Sequence, residues 1–323
     1  MSRPRVFVAR RIPEAGLELL EPHCELDVWE GDFPPGREEL LARARGRDGL
    51  LFMLSDRIDA QVMDAAGQGL KVLSSYAVGL DNVDLAEATR RRIPVGNTPG
   101  VLTEATADLA FALLLAAARR LPEGDRYVRD GKWLTWMPLA LLGRELHGAA
   151  LGIFGFGRIG QAVARRAQGF GMRVLFCTRS EPEDALGATR VDLGTLLAQS
   201  DFLSLHAPLT PETRRLIDAP AIARMKRGAI LVNTARGGMV DQQALYDALR
   251  SGQLQAAALD VTDPEPLPKE HPLLTLPNCF VLPHLGSATV ETRTRMAVMA
   301  AENLLAGLRG ERLPNCANPG VYC

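Results

Sequence analysis

The feature that most restricts the fold of this chain is a repeated alternation of short apolar runs with segments of helical pattern. The predicted strands are 4–9, 49–53, 70–74, 150–154, 173–177, 201–205, 229–233, 256–260 and 279–282. Most of these runs lack polar alternation, which is typical of parallel strands that are covered on both faces. Helical segments between successive strands are typical of βαβ units. The sequence therefore predicts an α/β protein with doubly wound parallel sheets.

Chain length and the restart of this pattern predict two domains. The chain has 323 residues, whereas an ordinary domain has about 100–200. The β-α pattern restarts midway along the chain, after one long apolar helical stretch over 101–120. We expect a dinucleotide-binding domain over 98–287, inserted into a substrate domain made of 1–97 and 288–323. A final helix over 288–308 would return to the first domain.

Two further helix boundaries have local signals. Thr210 and Pro211 are the residue types preferred at an N-cap and at the first helical position, so they predict a helix that begins there. Asp241 predicts the start of another helix, which should end near Ser251 and Gly252.

Charge and cysteine content exclude several classes of protein. The formal net charge is −1, whereas nucleic-acid binding usually needs a basic excess that neutralises phosphates. The five cysteines form no CxxC pair, so neither a disulfide framework nor a metal site is predicted. No apolar run approaches the ~20 residues of a membrane helix, and no signal peptide is evident. We therefore expect a cytoplasmic protein that binds neither nucleic acid nor membranes.

A glycine-rich loop follows the first strand of the second pattern. Gly155, Gly157 and Gly160 form G-x-G-x-x-G between a buried strand and an amphipathic helix. The first glycine permits the turn, the second lets a pyrophosphate approach, and the third lets helix and strand pack closely. The helix N-terminus adds free N–H groups. This context predicts a dinucleotide site, with Arg158 and Ile159 also in contact with the cofactor.

The residues after the next strand indicate which dinucleotide binds. An NAD site usually has an acidic residue here for the ribose 2′-hydroxyl. This chain has Thr178, Arg179 and Ser180, and no acid before Glu181. Arg179 could pair with a 2′-phosphate, and the two hydroxyls could hydrogen-bond it. We predict that NADPH is preferred over NADH; alternatively, Arg179 is merely exposed or stacks on the adenine.

Three polar residues follow successive strands beyond the glycine loop: Arg236, Glu265 and His284. Parallel strands bring their carboxyl ends to one edge of the sheet, where ligands bind. A guanidinium can clamp the carboxylate of a 2-oxo acid, and an imidazolium can protonate its carbonyl oxygen as hydride adds. A carboxylate on the other ring nitrogen orients the imidazole. Taken singly, the arginine could be a surface residue, the glutamate an exposed loop acid and the histidine a structural residue. Taken together, the three residues predict the reduction of a 2-oxo acid.

These motifs, taken together, resemble the D-isomer-specific 2-hydroxyacid dehydrogenase family. The resemblance rests on residues 75–84, 155–160, 206–213, 233–237, 260–266 and 282–287. It implies a Rossmann nucleotide-binding domain inserted in a flavodoxin-like substrate domain. It also implies an active site in the cleft between the domains and a homodimer formed through the nucleotide-binding domain.

The resemblance further implies roles for individual residues. Arg236, Glu265 and His284 would be catalytic. Substrate would bind to the backbone N–H groups of Val78 and Gly79 and also contact Leu54. The further cofactor contacts would be Thr106, His206, Pro208, Thr213, Thr234, Ala235, Asp260, His284 and Gly286. The resemblance places His206 against the cofactor and does not make it the acid.

Residues 135–139 resemble the glyoxylate/hydroxypyruvate reductase branch, in which a tryptophan at the position of Trp136 reaches into the active site of the partner subunit. A purely dimer-packing tryptophan is the alternative. The expected activity is NAD(P)H-dependent reduction of glyoxylate or hydroxypyruvate to glycolate or D-glycerate. Two alternatives remain open. One is a 2-ketogluconate or other 2-oxo acid reductase with the same catalytic residues, and the other is a nicotinamide-sensing, corepressor-like binding protein.

Overall fold

A computed structural model describes residues 3–323 of the chain. The strands are β1 Arg5–Val8, β2 Glu25–Val28, β3 Gly49–Phe52, β4 Val72–Ser75, β5 Val95–Gly96, β6 Ala150–Phe154, β7 Arg173–Cys177, β8 Thr189–Arg190, β9 Phe202–Leu205, β10 Ala229–Asn233, β11 Leu254–Leu259 and β12 Cys279–Val281. The α-helices are α1 Glu14–Leu20, α2 Arg37–Ala44, α3 Ala60–Ala66, α4 Leu85–Arg90, α5 Thr103–Ala118, α6 Leu121–Arg129, α7 Arg158–Gly169, α8 Leu193–Gln199, α9 Ala219–Arg224, α10 Gln242–Ser251 and α11 Val290–Leu308.

The chain divides into two compact units. The first contains the residues up to Leu102 together with Thr289–Cys323, and the second is Thr103–Ala288. The first boundary lies slightly later than the position expected from the sequence. Beyond the expected boundary, Thr98 is held to the first unit by its backbone N–H, which donates to the carbonyl of Ala77.

The first unit is built on a parallel sheet with strand order β2-β1-β3-β4-β5. This is the flavodoxin-like order expected from the resemblance. Helix α11 returns to this unit, where Ala300 and Leu304 are fully buried in one of its cores. The hydroxyl of Ser74 in β4 donates to the backbone carbonyl of Ala300 at 2.8 Å.

The second unit is built on a parallel sheet with strand order β12-β11-β10-β9-β6-β7-β8. Its first strand, β6, lies between β9 and β7, so the direction of winding reverses there as in a Rossmann fold. Two buried clusters cover the opposite faces of the sheet, and Phe202 and Leu203 on β9 point into different clusters. This arrangement confirms the predicted fold class, and it places the loop after β6 at the switch point, where such sheets bind ligands.

The strands that the sequence pattern missed are β2, β5 and β8. All three lie at the edges of the sheets, and β5 and β8 have only two residues each. An edge strand is covered less completely, so its sequence need not form an apolar run; Glu25 and Asp27 show this in β2.

The helix expected to begin at Thr210 is wrong, because residues 211–215 form a turn and the next helix begins at Ala219. The Thr213 hydroxyl accepts a hydrogen bond from the Thr210 N–H at 2.7 Å, and it thereby closes an isolated turn. The chain then extends, since the N–H of Ile217 donates to Met239 on another segment. The helix expected from Asp241 is confirmed as α10, capped by that aspartate.

Within residues 3–323, no helix has both the length and the apolar character that crossing a bilayer requires.

Candidate active site

The three glycines of the loop after β6 meet different surroundings. Gly155 has φ +91°, and a Cβ there would lie 2.5 Å from the Ala207 nitrogen. A Cβ on Gly160 would lie 2.2 Å from the Gly155 carbonyl oxygen. A Cβ on Gly157 would meet no atom within 4 Å. The first and third glycines are therefore required by packing, whereas the second borders open space.

The N-terminus of helix α7 opens onto this same space. Gly157 is its N-cap and provides no side-chain acceptor, so the first N–H groups, beginning at Arg158 and Ile159, are available to a ligand. At the carboxyl end of β10, the Thr234 hydroxyl is buried and has no hydrogen-bond partner within the described part of the chain. Open space, uncapped N–H donors and an unsatisfied hydroxyl fit a bound dinucleotide, whose pyrophosphate would lie against the helix dipole.

The loop after β7 contains the three residues expected to select the cofactor. Arg179 and Ser180 are exposed and Thr178 is partly buried. Arg190 on β8 donates to the backbone carbonyls of Thr178 and Arg179 at 3.1 and 3.4 Å, and it also pairs with Glu181. No sequence pattern predicts these contacts, because β8 has only two residues and is too short to be recognised.

His206 lies directly behind the glycine loop. Its ring Nε2 is 2.8 Å from the Ser204 hydroxyl, and its backbone N–H donates to Phe154 at 2.7 Å. Burial lowers the pKa of His206 to about 4, so the ring is neutral near neutral pH and is poorly suited to be the general acid. In the following turn, the Thr213 hydroxyl donates to the carbonyl of Pro208 at 2.8 Å, so these two expected contact residues support each other.

The three residues expected to be catalytic follow three neighbouring strands. Arg236 follows β10, Glu265 follows β11, and His284 follows β12, and these strands pair side by side. His284 Nδ1 lies 2.5 Å from Glu265 Oε1. The two side chains are 27% and 34% exposed. The carboxylate occupies Nδ1, which leaves Nε2 as the ring nitrogen able to face a substrate.

A buried carboxylate fixes the backbone of the His284 loop. Asp260, which is 1% exposed, accepts the N–H groups of Leu285 at 2.6 Å and Gly286 at 2.8 Å. Its own carbonyl accepts the His284 N–H at 3.0 Å. The Thr106 hydroxyl donates to the carbonyl of Gly286 at 3.0 Å. Burial raises the pKa of Asp260. These contacts hold His284 at φ +55°, a backbone region that residues other than glycine rarely adopt.

The loop that bears Arg236 is fixed from within. The Asn233 side chain donates to the Arg236 carbonyl at 2.8 Å and accepts the Ala235 N–H at 3.0 Å. The next residue, Gly237, packs so closely on the Glu265 loop that a Cβ would lie 1.9 Å from the Thr262 carbonyl carbon. The Arg236 loop therefore supports the backbone of the Glu265 loop.

Gln242, the first residue of helix α10, also holds the Glu265 loop, and sequence reasoning missed it. Its amide Nε2 donates to the Asp263 carbonyl, and its Oε1 accepts the Asp263 N–H at 3.2 Å. The hydroxyl of Thr262 donates to the carbonyl of Pro264 at 2.8 Å. Gln242 is distant from Asp263 in sequence, so no local pattern could have predicted this contact.

The remaining predicted site residues are described by the unit to which they belong. Leu54, Val78 and Gly79 belong to the first unit, where Leu54 and Val78 are 43% and 37% exposed. The Val78 carbonyl accepts a hydrogen bond from Asn97 at 2.9 Å. Trp136 belongs to the second unit and is 79% exposed.

Comparison with known proteins gives close and extensive matches. The sequence model described as "D-isomer specific 2-hydroxyacid dehydrogenase, NAD binding domain" matches residues 111–286. A protein of Korarchaeum cryptofilum named glyoxylate reductase is 54% identical over 99% of this chain and 97% of its own length.

Solved structures also match almost the whole chain. A Thermus thermophilus protein superimposes with a TM-score of 0.92 and 54% identity, and the match covers 97% of this chain and 99% of that one. The NADPH-dependent glyoxylate/hydroxypyruvate reductase of Sinorhizobium meliloti, solved with NADP and malonate, has a TM-score of 0.87 and 35% identity. That match covers 98% of this chain and 97% of the relative.

We predict that Gly157→Ala weakens dinucleotide binding at least about tenfold and leaves the fold intact. The new methyl group would fill the space that the pyrophosphate needs, and it meets no protein atom. Fluorescence titration with NADPH measures the affinity, and thermal unfolding measures the stability. Gly169→Ala is a matched control at the other end of helix α7, where a Cβ also meets open space. Unchanged affinity of Gly157→Ala would contradict the proposed pyrophosphate site.

We predict that Gln242→Ala lowers kcat for 2-oxo acid reduction about tenfold, because the Glu265 loop loses two hydrogen bonds and small displacements of catalytic groups are costly. Cofactor affinity should not change. Steady-state kinetics and NADPH titration test both expectations. Gln243→Ala is the control, since the side chain of Gln243 hydrogen-bonds Asp247 of its own helix. Equal kcat values for the two variants would refute the role of Gln242.

Proposed function

Because this chain belongs to the D-isomer specific 2-hydroxyacid dehydrogenase family, we propose that it reduces glyoxylate and hydroxypyruvate to glycolate and D-glycerate. The observation that carries this proposal is the His284–Glu265 pair at 2.5 Å. This pair lies at the edge of a sheet with the Rossmann strand order. Arg236 follows β10, which pairs with the strand that precedes Glu265. The names of the two reductases with which the chain shares 54% and 35% identity support the substrate class.

The residues around the glycine loop would hold the cofactor. A bound nicotinamide cofactor supplies the hydride that adds to the keto carbon. The N–H groups at the start of helix α7 would bind the pyrophosphate, and Gly157 leaves room for it. The unsatisfied hydroxyl of Thr234 provides a further polar contact.

Arg236 would bind the carboxylate of the substrate. A guanidinium matches a carboxylate with two parallel hydrogen bonds, which fixes the orientation of the neighbouring keto group. Asn233 holds the backbone on both sides of this arginine. We also propose that the backbone N–H groups of Val78 and Gly79, and the side chain of Leu54, contribute to substrate binding.

His284 would donate the proton. As the carbonyl carbon gains hydride, negative charge develops on its oxygen, and the Nε2 proton of His284 is transferred to that oxygen. Glu265 accepts the Nδ1 proton in a hydrogen bond, so it orients the ring and stabilises the imidazolium before transfer. After transfer the ring is neutral and the product is the 2-hydroxy acid. We do not assign the role of proton donor to His206, because burial lowers its pKa and leaves little of the imidazolium form.

We propose that NADPH is the preferred cofactor. No acidic side chain follows β7 directly, so a ribose 2′-phosphate would not meet a carboxylate there. Arg179 offers a positive charge, and Thr178 and Ser180 offer hydroxyl donors. The S. meliloti relative, whose name includes NADPH dependence, supports this assignment.

We also propose a homodimer formed through the second unit. This unit exposes several large apolar side chains in one short segment: Trp133 at 64%, Leu134 at 90%, Trp136 at 79% and Leu139 at 80%. Soluble monomers rarely expose such a group, which is typical of a protein interface. In a dimer, Trp136 would lie near the active site of the other subunit.

Initial rates test the proposed activity. Glyoxylate, hydroxypyruvate and 2-ketogluconate would each be reduced with NADPH and with NADH at equal concentrations. We predict the highest kcat/KM for the two small acids with NADPH, because Arg179 pairs with the 2′-phosphate. A preference for 2-ketogluconate would contradict the substrate assignment but would be compatible with the same mechanism. A preference for NADH would contradict the role of Arg179.

The absence of turnover with every acid, despite cofactor binding, would instead favour a nicotinamide-sensing binding protein. In that case a co-purifying partner should assemble with the chain only when cofactor is present.

A further inference from the structure

Arg190 makes an unusual set of contacts for a residue on a short edge strand. It lies on β8, in register with Phe176 of β7. Its guanidinium reaches the loop that follows β7, where it donates to the carbonyls of Thr178 and Arg179 at 3.1 and 3.4 Å. It also pairs with the carboxylate of Glu181. One side chain thus contacts three residues of this loop.

The backbone contacts restrict the loop conformation. Beyond β7 the segment 178–188 contains no regular secondary structure, so few backbone hydrogen bonds hold it. The two carbonyls that accept from Arg190 belong to residues whose side chains would meet a 2′-phosphate. Ordering these two peptide groups in advance lowers the entropic cost of binding the phosphate.

The ion pair with Glu181 places a positive charge beside the first carboxylate after β7. Glu181 is the first acidic residue after β7, and its side chain is 72% exposed. Left unpaired, its carboxylate could approach and repel a 2′-phosphate held by Arg179. Glu212 is a second nearby acid, whose pKa is lowered by hydrogen bonding to Thr210 and by the charge of Arg179. Pairing Glu181 with Arg190 therefore leaves more of the Arg179 charge available to a ligand.

We propose that Arg190 is a positioning residue for recognition of the 2′-phosphate: it fixes the backbone of Thr178 and Arg179 and holds the Glu181 carboxylate away from the phosphate. This inference rests on the proposed preference for NADPH. It assigns a specificity role to a residue that is outside the glycine loop and is not itself a ligand of the phosphate.

Binding of two small nucleotides tests this role without turnover. The ligand 2′,5′-ADP has the adenosine 2′-phosphate, whereas 5′-AMP lacks it, and isothermal titration gives the Kd of each. We expect Arg190→Ala to weaken binding of 2′,5′-ADP about tenfold, the size expected for loss of charge-assisted contacts, and to leave 5′-AMP affinity unchanged. Arg190→Lys should retain part of the affinity, because it retains the charge without the planar fork.

A double variant separates positioning from direct contact. Adding Glu181→Gln to Arg190→Ala removes the unpaired carboxylate, so affinity for 2′,5′-ADP should partly recover. The absence of recovery would refute the claim that Arg190 acts by holding the Glu181 carboxylate away from the phosphate. Arg173→Ala is the matched control, since Arg173 lies on β7 at its opposite end, near Gln199. It should leave both affinities unchanged.

The outcomes for the unaltered protein keep the two proposals distinguishable. If it binds 2′,5′-ADP no more tightly than 5′-AMP, the NADPH assignment fails and this inference fails with it. If it prefers 2′,5′-ADP and Arg190→Ala keeps the same ratio of affinities, the NADPH assignment remains and only the role of Arg190 is refuted.

Discussion

The backbone geometry around His284, at the edge of the sheet that bears Arg236 and Glu265, depends on the hydrogen bonds of the buried Asp260. It accepts two consecutive N–H groups after His284, and its carbonyl accepts the N–H of His284 itself. Burying an ionised group is costly unless it is well hydrogen-bonded, and here the backbone of the loop satisfies it. These hydrogen bonds thereby hold His284 in a left-handed backbone conformation that non-glycine residues rarely adopt. The ring is then directed toward Glu265.

In the other two loops at this edge, the backbone is also held by hydrogen bonds to a single side chain. Asn233 fixes the Arg236 loop, and Gln242 fixes the Glu265 loop through the backbone of Asp263. Each of these amides is supplied by a strand end or a helix start, which are rigid parts of the sheet layer. Functional side chains held this way need little reorganisation when substrate binds, which is how a preorganised site accelerates a reaction.

Apolar runs and glycine spacing are local signals, and they predicted the fold class and the glycine loop. The domain arrangement and the roles of the site residues came from the resemblance to the family. The sequence pattern missed strands such as β8, which are short and lie at a sheet edge, and it misread Thr210 as a helix start, where Thr213 closes a turn instead. It also missed Arg190 and Gln242, whose contacts join segments that are distant in the chain or irregular. Such contacts depend on how the folded loops meet, which periodicity does not encode.

His284 is assigned as the proton donor, and the rate of hydride transfer in a single turnover tests this role most directly. His284→Asn is the informative variant, because asparagine tolerates the left-handed backbone and cannot act as the acid. His23→Asn, at an exposed position in the first unit, is the control. We predict that His284→Asn lowers the rate about 10²–10⁴-fold with unchanged NADPH affinity. A rate within about twofold of the control would contradict it, since that is far below the effect of removing a general acid.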